Sequence, residues 1–222
     1  MPNKLIIKNK IKKFNKTIKV SGDKSISIRW VLIASLAKNS GTLGRLILGF
    51  LINTPYPIKL IGDKSLSKRD FKRIADPLRK FGAKFKLKKS KNLPLTITGS
   101  SDLKPINYKE DRGSAQCKSA VIFAGMRTNG LTSIYAKKSR NHSELMCKNL
   151  KLPIKINIKK NYDKIKINKV NNIKPLNYQI PSDISSGAFF ITLTALSENS
   201  RLIIKNVNIN SSRTGIIAIL KK

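Results

Sequence analysis

The chain has 222 residues, 40% of them hydrophobic, enough for one large domain or two small ones with a true core. A single histidine excludes a multi-histidine zinc site, and two cysteines are too few for a disulfide framework and lack metal-ligand spacing. Lys and Arg number 46 against 11 acids, a net charge of +35, yet the lysines are spread along the chain with Ile and Asn, and the 6% aromatic content shows no stacking pattern of the RNA-recognition type; the charge reads largely as compositional background with a genuine pull on anionic ligands, and nucleic acid is not the expected partner.

Residues 1–17 are basic without a sustained apolar core, which is not the pattern of a secretory signal. Short strands are expected at 5–7 and 18–20. Next comes Gly22-Asp23-Lys24-Ser25-Ile26-Ser27-Ile28-Arg29, running into an apolar helical pattern over 25–37. Gly22 permits a tight turn, and Asp23 or Ser25 can cap the helix. The free N–H groups of that helix start, with Lys24 beside them and Arg29 one turn on, make a natural anion seat. Arg29 can offer two parallel hydrogen bonds and Lys24 a compact point charge. A capped helix with a solvated basic first turn is the bland alternative. The segment is not a Walker A loop, because no glycine stands five residues ahead of Gly22.

A turn at 39–42 opens a helical pattern over 43–51. Its apolar run is broken by Arg45 and is too short to span a bilayer. A soluble cytoplasmic protein with reduced thiols is expected. Pro55 and Pro57 precede a strand at 58–61. The motif then returns as Gly62-Asp63-Lys64-Ser65-Leu66-Ser67-Lys68-Arg69 with identical Gly-to-Arg spacing, suggesting an internal repeat. Phe71, Ile74, Leu78 and Phe81 recur at helical spacing up to Gly82, and Pro77 implies a kink or a late helix start. Strands follow at 84–88 and 95–98.

Three further loop-to-helix junctions start at Gly113, Ser139 and Pro181, leading to helices over 120–126, up to 150, and over 188–196. Strands at 131–135, 154–158, 163–167 and 178–180 lie between them, and a strand at 202–204 and a helix from Thr214 close the chain. Strand, polar Gly/Ser turn and apolar helix alternate throughout, which is an α/β pattern. Several helix starts carry Ser, Thr, Lys, Gln or Arg, and their convergence would form a polyanion pocket. His142 reads as a capping or packing residue, Cys117, Cys147 and Trp30 as core, and Asp183 as a helix cap.

The segments SGDKSISIRWVLIASLA, NSGTLGRLILG, GDKSLSKRDFKRIADPLRKFGA, SAQCKSAVIFAG, KSRNHSELM and SDISSGAFFITLTAL with SSRTG, in this order, resemble the 5-enolpyruvylshikimate-3-phosphate (EPSP) synthase family. The resemblance implies an α/β fold of repeated βαβαββ-type units in two domains, one of them partial here. Residues 1–19 would be a strand pair of the C-terminal domain, 20–179 a shortened shikimate-phosphate-binding domain, and 180–222 the start of the second domain. It implies transfer of the enolpyruvyl group from phosphoenolpyruvate to the 5-hydroxyl of shikimate 3-phosphate, with these two molecules as partners and with no metal or other cofactor. Lys24 would serve the reacting centre and both substrates. Ser25, Arg29, Ser114, Gln116, Ser139 and Arg140 would bind shikimate 3-phosphate. Gly41, Thr42, Arg69 and Gln116 would bind phosphoenolpyruvate.

The sequence also departs from the family pattern. Ile28, Lys38 and Asn141 stand where a polar residue, Gly and Asp are usual, and between Ala37 and Asn39 a segment that normally completes the first unit is missing. The family's later catalytic Asp and phosphoenolpyruvate-binding Arg and Lys have no counterpart here. Losing a general acid or base costs ~10²–10⁴ in rate and an electrostatic donor about 10²–10³, so weak or no activity is expected of the chain by itself. A basic, non-catalytic binder of anions or nucleic acid built on the same fold is the alternative expectation.

Overall fold

A computed structural model describes residues 13–20, 22, 23, 26, 41–173 and 179–221; the strand expected at 5–7 and all but Ile26 of the helix expected over 25–37 lie outside the described residues. The elements, in order, begin with β1 (Asn15–Ile18), α1 (Gly41–Phe50), a 3-10 turn (Leu51–Asn53), β2 (Ile58–Leu60), α2 (Lys64–Ser67) and α3 (Lys72–Arg79). Then come β3 (Lys84–Lys88), β4 (Asn92–Thr98), β5 (Asn107–Glu110), α4 (Ala115–Gly125), β6 (Thr132–Lys137) and α5 (His142–Asn149). The last are β7 (Ile154–Ile158), β8 (Tyr162–Ile167), α6 (Ile184–Ala195), β9 (Arg201–Ile204) and α7 (Gly215–Leu220). They form two compact units, Met1–Lys24 with Tyr178–Lys222, and Ser25–Asn177.

The larger unit holds two sheets of related topology. One has the order β5-β6-β8-β7, with β5 and β6 parallel and the other pairs antiparallel. Together with α4 and α5 this is a βαβαββ run. The other sheet, β2-β4-β3, repeats its last three strands in the same antiparallel order, with α1 ahead of it and α2 and α3 between β2 and β3. The fold is therefore α/β with repeated βαβαββ units, as expected.

Alternation dictates the strands. In Lys84-Phe85-Lys86-Leu87-Lys88 the lysines point outward while Phe85 enters the core, and Leu93, Leu95 and Ile97 do the same on β4. Lys84, Lys86 and Lys88 thus place positive charge on the outer face of their sheet. The helices fill the inside. α4 is buried from Cys117 through Gly125, so no polar face shows in its sequence. Phe123 of α4 stacks on Phe50 of α1 at 4.6 Å between ring centroids. Gly49 lets the two helices meet backbone to backbone, since a Cβ there would lie 2.3 Å from the Ala120 carbonyl oxygen. Phe71, Phe81 and Phe123 are fully buried in one continuous core, each worth about 1.5–3 kcal/mol of burial.

Several expectations shift. The strand expected at 18–20 is β1, three residues earlier, and Gln179 and Ile180 belong to no strand. β5 was not expected, and β4 starts at Asn92 and runs through Pro94. Pro77 sits inside α3, six residues into the helix. The second Gly-Asp-Lys-Ser motif forms the short helix α2, where the Asp63 carboxylate accepts from the Leu66 N–H at 2.6 Å.

In the smaller unit β1 and β9 pair in parallel, from Asn15 with Arg201 to Ile18 with Ile204. Asp23 of the first motif is fully buried, and its carboxylate accepts from Asn208 Nδ2 at 2.9 Å. Asp183 caps α6 by accepting from the Ser185 N–H at 3.0 Å, and it pairs with Arg213 at 2.8 Å.

Candidate functional site

The starts of α1 and α4 and the loop ahead of α5 face one cavity of about 470 Å³ in the larger unit. Thr42, Arg73, Arg112, Gly113, Ser114, Ala115, Gln116, Ser139 and Arg140 line it. The local fold explains the placement. Ser114 caps α4, its Oγ accepting from the Cys117 N–H at 3.3 Å. The buried Glu110 carboxylate at the end of β5 accepts from the Ser114 N–H at 2.8 Å and the Arg112 N–H at 3.2 Å, which fixes the loop. Gly113 turns that loop at φ +68°, in the left-handed region where a side chain is strained.

One hydrogen-bond network ties the cavity together. Arg45 Nη1 donates to Gln116 Oε1 at 2.5 Å and Arg73 Nη2 to the same oxygen at 3.5 Å. Guanidinium groups only donate, so they fix which end of the Gln116 amide is oxygen. Gln116 Nε2 then donates to Thr42 Oγ1 at 3.0 Å, leaving its second N–H and the Thr42 hydroxyl hydrogen for a guest. Arg45 is itself held by donating Nη2 to the Asp70 carbonyl at 3.0 Å and by the Phe71 ring, 5.4 Å away. Ser139 Oγ is buried and makes no hydrogen bond among the described residues.

The charge balance favours an anion. Burial, then the neighbouring Arg73 and Arg69, pull the Arg45 guanidinium below the ordinary arginine value. Like charges held this close gain from an arriving phosphate or carboxylate, and guanidinium forks match both groups. An anion among these guanidinium groups would relieve their mutual repulsion.

Of the residues expected at the site, Thr42, Ser114, Gln116, Ser139 and Arg140 line this one cavity, and Gly41 opens α1 next to Thr42. Arg69 is exposed in the link between α2 and α3 and does not line it, although its charge is felt at Arg45. Lys24, Ser25 and Arg29 lie outside the described residues. Arg45, Arg73, Arg112 and Glu110 are site residues that spacing did not single out. The signal for Arg45 was present, as the lone charge in an apolar run. Among the described residues no three of His, Cys, Asp and Glu gather as a metal group, and no helix is long and apolar enough to cross a membrane.

Comparison with known proteins gives a consistent result. The family model described as EPSP synthase (3-phosphoshikimate 1-carboxyvinyltransferase) matches residues 37–222. The chain is 44% identical to the 3-phosphoshikimate 1-carboxyvinyltransferase of Caldicellulosiruptor saccharolyticus over 83% of its own length. It is 42% identical to that of Streptococcus uberis over the same share. In both cases it spans 43% of the relative's length. Among solved structures, EPSP synthase from Acinetobacter baumannii superposes with a TM-score of 0.82 at 30% identity, over 95% of this chain and 59% of that one. The enolpyruvyl transferase NikO from Streptomyces tendae shares the fold, with a TM-score of 0.60 at 12% identity over 86% of this chain and 58% of that one. With the family model matching well over half of its residues, this chain belongs to the EPSP synthase family.

Proposed function

We propose that the cavity binds shikimate 3-phosphate and phosphoenolpyruvate and serves transfer of the enolpyruvyl group to the shikimate 5-hydroxyl. The observation that carries this is the arginine-backed Thr42–Gln116 network at paired helix starts, in a chain of this family. Ser114, Ser139 and Arg140 hold the 3-phosphate, with the unpaired Ser139 hydroxyl as one donor. Thr42, the Gly41 turn and Gln116 receive phosphoenolpyruvate, and Arg69 clamps its phosphate once the ligand is bound. Lys24 serves the reacting centre, and Ser25 and Arg29 hold the ring and carboxylate. In domain terms, residues 20–179 form the shikimate-phosphate-binding part, while 1–19 and 180–222 belong to the second domain. Free, buried Cys117 and Cys147 fit a reducing, cytoplasmic setting.

In the reaction the 5-hydroxyl gives up its proton as its oxygen bonds to C2 of phosphoenolpyruvate, and the C2–C3 double bond opens to take a proton at C3. Phosphate and a C3 proton then leave the tetrahedral adduct, giving the enol ether. The protein's task is to hold two anions together against repulsion, about 4 kcal/mol for unit charges at 4 Å near a protein surface, and to orient them. Arg45, Arg73 and Arg140 supply the opposing field.

Calorimetric titration with shikimate 3-phosphate tests the reading, followed by phosphoenolpyruvate in the same cell and an assay of released phosphate. Saturable binding of shikimate 3-phosphate that equimolar inorganic phosphate does not displace is expected. The reading is refuted by absent binding or by equal displacement with inorganic phosphate. Phosphate release measures how much of the transfer the chain performs unaided.

A further inference from the structure

The outer face of the β5-β6-β8-β7 sheet carries a feature unrelated to the anion cavity. Register places Lys109, Tyr135, Lys164 and Asn157 in one row across the four strands. Lys137 lies opposite Tyr162 in the row beside it, and Lys166 opposite Lys155 in the row on the other side. Tyr135 and Tyr162 are 38% and 42% exposed, with ring centroids 6.2 Å apart and planes tilted by 39°. Lys164 Nζ stands 5.1 Å above the Tyr135 ring. A mostly apolar cleft of about 520 Å³ is lined by Tyr135, Tyr162, Lys109, Lys137, Asn161 and Asp111, and Asp111 is held by Lys109 at 3.2 Å.

Two neighbouring aromatic rings on a pleated surface offer flat faces to a planar ring, while lysines on either side neutralise phosphate. A sheet with exposed aromatics on adjacent strands is a general solution for holding unstacked bases. The second sheet of this unit supplies an internal contrast. Its outer face carries Lys59, Lys84 and Lys86 beside Thr96 and Thr98, with no aromatic residue in those rows. Charge alone would make the two faces equivalent binders; the tyrosines would not.

We infer that the Tyr135–Tyr162 face binds a nucleotide unit, its base on the rings and its phosphate on Lys109, Lys137 and Lys164. The unit is part of a single strand, since Lys109, Lys137 and Lys164, spread over two adjacent rows, can meet successive phosphates. The test is fluorescence anisotropy of the full chain with a fluorescein-labelled oligouridine 12-mer, with AMP as competitor. Contacts from three lysines give a log–log salt slope near −2, so raising salt from 50 to 200 mM weakens binding about 20-fold. The double variant Tyr135→Leu with Tyr162→Leu is expected to bind about tenfold more weakly or worse, and Tyr135→Phe to bind as the parent does. Lys109→Gln, Lys137→Gln and Lys164→Gln together should weaken binding far more than Lys59→Gln, Lys84→Gln and Lys86→Gln together. Unchanged affinity in the tyrosine pair, or equal losses in the two lysine triples, would overturn the inference as unspecific charge. Should the tyrosine pair fail to fold, the two lysine triples decide the matter. Affinity that grows with strand length supports the single strand, and full competition by AMP at matched nucleotide concentration would overturn it.

Discussion

Gln116 shows how one side chain is given a job by its neighbours. Its amide oxygen is claimed by Arg45 and Arg73, so its nitrogen must face Thr42 and the cavity. Replacing it by Ala removes a donor to the ligand and leaves the Arg45 guanidinium, already beside Arg73, without its oxygen acceptor. Loss of a hydrogen bond to a charged group costs about 1.5–3 kcal/mol, so Gln116→Ala should weaken shikimate 3-phosphate binding by roughly 10- to 150-fold. Calorimetry on the folded variant checks this, and affinity within a factor of two of the parent would show that the amide does not touch the ligand. Sequence made Ser114, Gln116 and Ser139 legible because a polar residue at a helix start has few reasons to be there. It could not select Arg73 from 46 basic residues, since its partner Gln116 lies 43 residues away, nor Arg112, which reaches the cavity only through the turn of its loop.

At the level of elements, α4 and α5 are joined through a buried ion pair, Lys118 Nζ to Glu144 Oε1 at 2.6 Å, with both side chains shut off from water. Beside it the Ser119 and Ser143 hydroxyls share a hydrogen bond of 2.6 Å. These helices follow the two Ser-bearing loops of the cavity, so the pair braces the elements that come after Ser114 and Ser139. A buried pair need not stabilise the fold overall, but breaking it strands a charge, at a cost of about 3–5 kcal/mol. Lys118→Met alone should therefore lower unfolding stability by that amount, and Lys118→Met with Glu144→Leu should recover most of it. Denaturant unfolding of the two variants and their parent settles the case: equal loss in single and double variants would mean that packing, not the charge, is what matters. Legibility at this scale followed period. β3 and β7 were readable because polar residues, lysine or asparagine, alternate with apolar ones along them. β5 was hidden, a four-residue edge strand whose sequence, Asn-Tyr-Lys-Glu, has no apolar run, and Pro94 masked the first half of β4.

On the scale of the whole molecule the two units differ in how they treat apolar surface. The larger one closes its helices between sheet faces. In the smaller one, α6 buries only Ile184 and Gly187, while Phe189 and Leu196 are each 80% exposed and Phe190 and Leu193 also face outward. A helix this apolar with so little of it covered is unusual for a soluble surface. Burying four large side chains yields roughly 6–12 kcal/mol, against an association cost of about 4–15 kcal/mol. At the favourable end the net gain is about 8 kcal/mol, so the chain by itself should bind an apolar dye and self-associate weakly, no tighter than about micromolar. Phe189→Ser with Leu196→Ser should lessen both effects and leave the melting of the larger unit unchanged, because neither residue belongs to that unit's core. Sedimentation across a hundredfold range of concentration, with dye fluorescence on the same samples, is the check. A monomer at every concentration with no dye signal would mean that this helix face is covered in solution, and the exposed phenylalanine would then need another explanation.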